Sequence, residues 1–101
     1  MSTLIEKIEA MEKIGAADLA DQALHKLIHL HLQKYEKQNE EIQKELKPFE
    51  RQYGMSSEEC HRQFTAGNLD DTADFMEWMG LYDDVLLYRD RMKALRSVIE
   101  Q

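Results

Sequence analysis

"YGMSSEE", residues 53–59, interrupts an otherwise almost unbroken helical pattern, and it is where the chain has to turn. Gly54 can adopt the left-handed conformation that stops a helix. Ser56 can then cap a new one, with Glu59 three residues on to complete a capping box. The helix that starts there spans about 57–65 and carries Cys60, His61 and Phe64, and Gly67 ends it. "NLDDTAD", residues 68–74, follows as a turn and a fresh start. Asp70 or Asp71 is expected to accept hydrogen bonds from the first free amides of the next helix, and the extra carboxylates suit the positive end of its dipole.

On both sides of this turn the pattern is long and regular. Upstream, Leu32, Tyr35, Asn39, Ile42, Leu46, Phe49 and Tyr53 trace one stripe with a seven-residue repeat. The helix this predicts runs over 17–53 and is kinked or broken near Pro48, because an internal proline removes a hydrogen bond and bends the helix. Downstream, Trp78, Leu81, Val85, Tyr88, Met92, Leu95 and Ile99 alternate in steps of three and four. They predict a helix over 71–100, in which Gly80 is tolerated at a cost of roughly 1 kcal/mol. At the start of the chain, Leu4, Ile5, Ile8 and Met11 behind Ser2 and Thr3 give a short helix over 3–14 that Gly15 can end. The expected fold is all-α: one domain, 1–101, built as an antiparallel hairpin of two long helices. A short capped helix sits at the bend and another short helix at the N-terminus.

The stripes also speak to oligomeric state. A helix from Ala16 to Tyr53 would be about 55 Å long, whereas a compact domain of about 100 residues has a radius of gyration near 13 Å. Two such helices alone leave apolar surface over. The expectation is therefore a homodimer, two hairpins making a four-helix bundle. Its seam would consist of Leu32, Tyr35, Asn39, Ile42, Leu46 and Phe49 on one helix and Trp78, Leu81, Val85, Tyr88, Met92, Leu95 and Ile99 on the other. Asn39 in that seam would fix register and partner number at some cost in stability; the alternative is an exposed Asn39 beside a shorter helix.

Composition narrows the function. The 101 residues are 43% hydrophobic and 33% charged, as expected of a folded domain rather than a disordered chain. Four glycines and one proline leave little material for hairpins of strands. A net charge of −7 disfavours nucleic acid as a direct partner and an anionic membrane as a surface. No apolar run approaches the eighteen or so residues of a membrane span. The N-terminal glutamates do not suit a signal peptide, and a single cysteine cannot form an internal disulfide. These features together predict a cytoplasmic protein.

"HKLIHLHL", residues 25–32, sets His25 and His29 four apart on one side of a helix. They are the candidate metal ligands. A helical histidine pair needs a third protein ligand, however, and Lys26 occupies the place where the zinc motif has its glutamate. Leu24, Leu27, Ile28, Leu30 and Leu32 surround the pair, so a buried or interfacial helix face explains the segment without metal. His31 lies on another face and should meet solvent.

Two carboxylate rows, Glu6/Glu9/Glu12 and Asp70/Asp71/Asp74/Glu77, raise the alternative of a magnesium-dependent all-α nucleotide pyrophosphohydrolase. That chemistry needs two such groups facing each other across a core. Glu6, Glu9 and Glu12 instead lie on a polar face. Cys60 and His61 are adjacent, which points them about 100° apart on a helix and prevents a nucleophile–base pair. Arg89, Arg91, Lys93 and Arg96 read as a solvated face with intrahelical ion pairs. The expectation is a protein without catalytic residues or cofactor. A structural oligomerisation protein is the other non-enzymatic alternative.

Residues 47–83, "KPFERQYGMSSEECHRQFTAGNLDDTADFMEWMGLYD", carry a resemblance. The pattern runs F-E-x-x-Y-G-M-S, then S-E-E, F-x-x-G, a short acidic turn and D-F-x-E-W-x-x-x-Y. Here it falls on Phe49, Glu50, Tyr53, Gly54, Met55, Ser56, Phe64, Gly67, Asp74, Phe75, Glu77, Trp78 and Tyr82. This stretch resembles a signature of small uncharacterised prokaryotic helical proteins that look like the antitoxin partners of toxin–antitoxin pairs. The resemblance implies a short acidic protein that covers a small basic toxin, and it brings no catalytic residues. The partner-binding residues expected on this reading are Phe64, Asp70, Asp71, Asp74, Phe75 and Tyr82, with aromatics as anchors and carboxylates meeting the basic partner.

Overall fold

The structure, a computed structural model, describes residues 1–100, and these residues form four α-helices and no strand. They are α1 (Leu4–Lys13), α2 (Ala17–Tyr53), α3 (Ser57–Thr65) and α4 (Ala73–Ile99). The all-α hairpin expected from the stripes is therefore present. Tyr53 meets Phe75, Phe49 meets Trp78, Tyr35 meets Tyr88, and Arg96 reaches Glu36. The aromatic partners fall along α2 as they rise along α4, so the two long helices are antiparallel. No helix among the described residues is long and apolar enough to cross a membrane.

Local chemistry explains the ends. Thr3 and Glu6 form a complete reciprocal capping box on α1, which the sequence reading did not single out. Gly54 ends α2 at φ 65°, the left-handed conformation expected of it. Ser56 Oγ accepts from Glu59 N at 3.0 Å, which caps α3. The reciprocal half of that box is replaced, because the Glu59 carboxylate turns to Arg62 and Gln63. α4 is capped by Thr72, whose Oγ1 accepts from Phe75 N at 3.2 Å, and not by Asp70 or Asp71. Three consecutive residues can cap a helix, and the one in extended backbone directly before the first turn does so.

Pro48 lies inside α2, and the helix runs through it unbroken to Tyr53. The ring removes the amide that would bond to the Lys44 carbonyl. Both residues are exposed, so water can satisfy that carbonyl, while Leu46, Phe49 and Tyr53 pack into the core from either side of the proline. Pro48→Ala should therefore stabilise the fold, by up to about 3 kcal/mol, and a thermal scan should show a higher Tm.

The core is thin and lies along the hairpin. Leu32, Leu46, Cys60, Trp78, Met79, Tyr82, Val85 and Met92 are buried. Of the expected seam, Leu32, Leu46, Trp78, Val85 and Met92 are covered within the single chain, while Tyr35, Asn39, Ile42, Phe49, Leu81, Tyr88, Leu95 and Ile99 are half-buried. The stripes thus face each other inside one hairpin. The molecule is long, 60 × 24 × 23 Å, with a radius of gyration of 19.7 Å. Its accessible surface of 7676 Å² compares with about 6,000 Å² for a compact monomer of this mass.

Candidate functional site

At the bend, three helices are tied together by one polar chain. Trp78 Nε1 on α4 donates to Ser57 Oγ at 2.8 Å, and Ser57 Oγ donates to Glu50 Oε2 on α2 at 2.8 Å. The same carboxylate oxygen accepts from Ser57 N at 2.9 Å, which satisfies a free amide of the first turn of α3. Trp78 and Ser57 are buried. A buried donor without a partner costs about 1–3 kcal/mol, so each member depends on the others. Around this chain the rings of Phe49, Tyr53 and Phe75 gather on the Trp78 indole, with centroids 5.7, 5.7 and 6.2 Å away.

Most of the residues that carry the sequence signature are thus explained by how they join helices. Tyr53 Oη donates to Asp74 Oδ2 at 2.5 Å, and Gln52 reaches the same oxygen at 3.4 Å. The hydrogen bond to Asp74, followed by burial and the Asp74 charge, pushes the Tyr53 phenol above its ordinary value. A raised value in the folded state favours the protonated phenol. Its contribution is therefore complete below the unfolded value near 10 and is lost as pH rises through the folded value. Wild type should lose stability above about pH 10 by a component that Tyr53→Phe lacks, a difference that denaturant titrations at several pH values will resolve. Burial likewise pushes the Cys60 thiol up.

The expected partner-binding residues separate into two groups. Tyr82 is buried, with the His61 ring 5.2 Å away, and Phe64 and Phe75 are half-buried against the core. Asp74 is engaged by Tyr53. These four face inward or serve the hairpin, because the three-four spacing that aligned the aromatics also aligns them with the core stripe. Asp70 and Asp71 are exposed, in the α3–α4 turn. They belong to a larger feature that the sequence reading did not isolate. Between Gly54 and Leu87 the chain holds Glu58, Glu59, Asp70, Asp71, Asp74, Glu77, Asp83 and Asp84 against the single cation Arg62. That segment alone accounts for the net charge of −7, and the charges of the remaining residues balance. Glu58, Asp70, Asp71, Glu77, Asp83 and Asp84 are exposed.

His25, His29 and His31 are all exposed, and among the described residues no group of three or more His, Cys, Asp or Glu is placed to hold a metal ion. The leucines around them divide: Leu32 is buried, Leu24 and Ile28 are half-buried, and Leu27 and Leu30 are exposed. The two carboxylate rows lie at opposite ends of the molecule. α1 packs on α2 after a three-residue turn, whereas Asp74 bonds to Tyr53 at the far end of that 37-residue helix. Asn39 is half-buried, and among the described residues its Oδ1 has no hydrogen-bond partner. No protein-family model matches the chain, nor does any curated protein or solved structure.

Proposed function

We propose that this chain is a protein-binding module of the antitoxin-like kind, a cytoplasmic homodimer that covers a small basic protein with its acidic bend. The observation that carries the reading is the charge distribution: the whole net charge sits on one end of a 60 Å molecule. A concentrated field of this sort speeds the encounter with a basic partner and repels competing nucleic acid. The polar chain through Glu50, Ser57 and Trp78 supports the same reading, because it holds α3 and the start of α4 rigidly enough to present those carboxylates as a fixed surface. Rigid presentation lowers the ordering cost of binding. The elongated shape leaves about 1,700 Å² more surface than a compact monomer would have, and a standard interface takes about 800 Å² from each partner.

The test is co-expression with the protein encoded beside this gene. A short basic neighbour that co-purifies with the chain at low salt and dissociates as salt rises supports the reading. An acidic neighbour, or a basic one that fails to co-purify at 50–100 mM salt, overturns it.

A further inference from the structure

The end of the molecule opposite the acidic bend is apolar. Met1, Leu4, Ile5, Ile14, Leu19, Leu27 and Leu30 are seven of the ten large hydrophobics that stand most exposed, and all lie in the first thirty residues. α4 ends at Ile99, about one turn beyond Leu95, which borders His31, so the first turns of α2 lie past its end, where α1 packs on α2. There α2 carries a second stripe. Leu19, Ala23, Leu27 and Leu30 follow steps of four, four and three, on a side turned about 95–175° from the core stripe. Leu19, Leu27 and Leu30 are 63%, 55% and 50% exposed. Scattered single hydrophobics need no explanation, but a contiguous row on one helix face marks an interaction site.

We infer that this stripe is the dimer interface: two copies pair here through the N-terminal part of α2, antiparallel and related by a twofold axis. The inference rests on the homodimer reading and relocates its contact, since the centre of the hairpin seam, Leu32, Leu46, Trp78, Val85 and Met92, is already covered by the chain itself. Charge selects the occupant. Two copies of a chain with net charge −7 repel wherever their bends approach, and the apolar row lies on the part of the chain whose charges balance. A basic partner, by contrast, is drawn to the other end. The excess surface noted above is large enough for one interface at each end. In an isologous antiparallel pair the twofold axis crosses between Leu19 and Leu30, beside Ala23. Two helices packed there leave both acidic bends pointing outward, so the dimer would offer two copies of the partner-binding surface.

Sedimentation equilibrium on the full chain tests this. Wild type is expected to run at about twice the 11.9 kDa chain mass at tens of micromolar. The combined Leu19→Glu, Leu27→Glu, Leu30→Glu variant is expected to run as a monomer, while Leu87→Glu with Val98→Glu, exposed positions on α4, stays dimeric. A second arm does not depend on the triple variant folding. Ala23→Cys should form a covalent dimer under mild oxidant and His25→Cys, on another side of α2, should not; the native Cys60 is buried. Monomeric wild type overturns both the homodimer and this surface. A dimer that survives the triple substitution, or that cross-links equally through both cysteines, overturns the surface and leaves the homodimer standing.

Discussion

Trp78→Ala is expected to unfold a large fraction of the protein at room temperature. The indole is completely buried and stacks with Phe49, Tyr53 and Phe75, so its removal opens a cavity that a two-helix core cannot collapse to fill. Such truncations cost about 3–5 kcal/mol. The same change takes away the donor to Ser57 Oγ and leaves a buried hydroxyl half-satisfied, about 1–3 kcal/mol more. A domain of this size has roughly 5–15 kcal/mol in total, and a core of eight buried hydrophobics places this one toward the lower end. Trp78→Phe separates the two causes, since it keeps a ring in the stack and loses the donor. Chemical denaturation should rank wild type above Trp78→Phe and Trp78→Phe well above Trp78→Ala. Equal midpoints for wild type and Trp78→Phe would show that the hydrogen bond to Ser57 adds nothing.

That network marks the limit of what the sequence discloses. The bend is legible because its signals are local: Gly54, Ser56 and the three-four stripes on either side act through neighbours a few residues away. The bond from Trp78 to Ser57 spans 21 residues, and the bond from Ser57 to Glu50 crosses the turn itself, so neither leaves a periodic trace. The cap of α4 was ambiguous for the opposite reason. Asp70, Asp71 and Thr72 are all competent, and backbone conformation chooses among them. Around the histidines a run of leucines resembles a single greasy face, yet a helix turns 100° per residue and cannot aim Leu24, Leu27, Leu30 and Leu32 at one neighbour. Leu24, Ile28 and Leu32 turn toward the hairpin, whereas Leu27 and Leu30 lie on the side of α2 turned away from it, and that is what leaves them in solvent. At Pro48 the helix-breaking tendency of about 3 kcal/mol does not end α2, because Leu46, Phe49 and Tyr53 pack on either side of it.

Reversing the exposed carboxylates Asp70, Asp71 and Glu77 to lysine should slow association with a basic partner by a factor of about 10–1,000 at low ionic strength, the range over which charge steering acts. The change turns eight carboxylates and one cation between Gly54 and Leu87 into five and four, which nearly abolishes the field at the bend. Asp74 is left out because it accepts the Tyr53 hydroxyl, and its loss would loosen the hairpin and confuse binding with folding. The three chosen side chains have no partner among the hydrogen bonds and ion pairs of the described residues, so stability should change little. The effect should fall mainly on the association rate, and it should shrink as salt approaches 1 M, where the screening length is about 3 Å. Stopped-flow or surface-based kinetics with the basic neighbour protein, at several salt concentrations, reads both the rate and its salt slope. An association rate that is unchanged by the reversal at 10–50 mM salt would place recognition away from the bend. A slower rate with an unchanged salt slope would instead mean that the lysines obstruct the contact by shape, and the charge argument would fail.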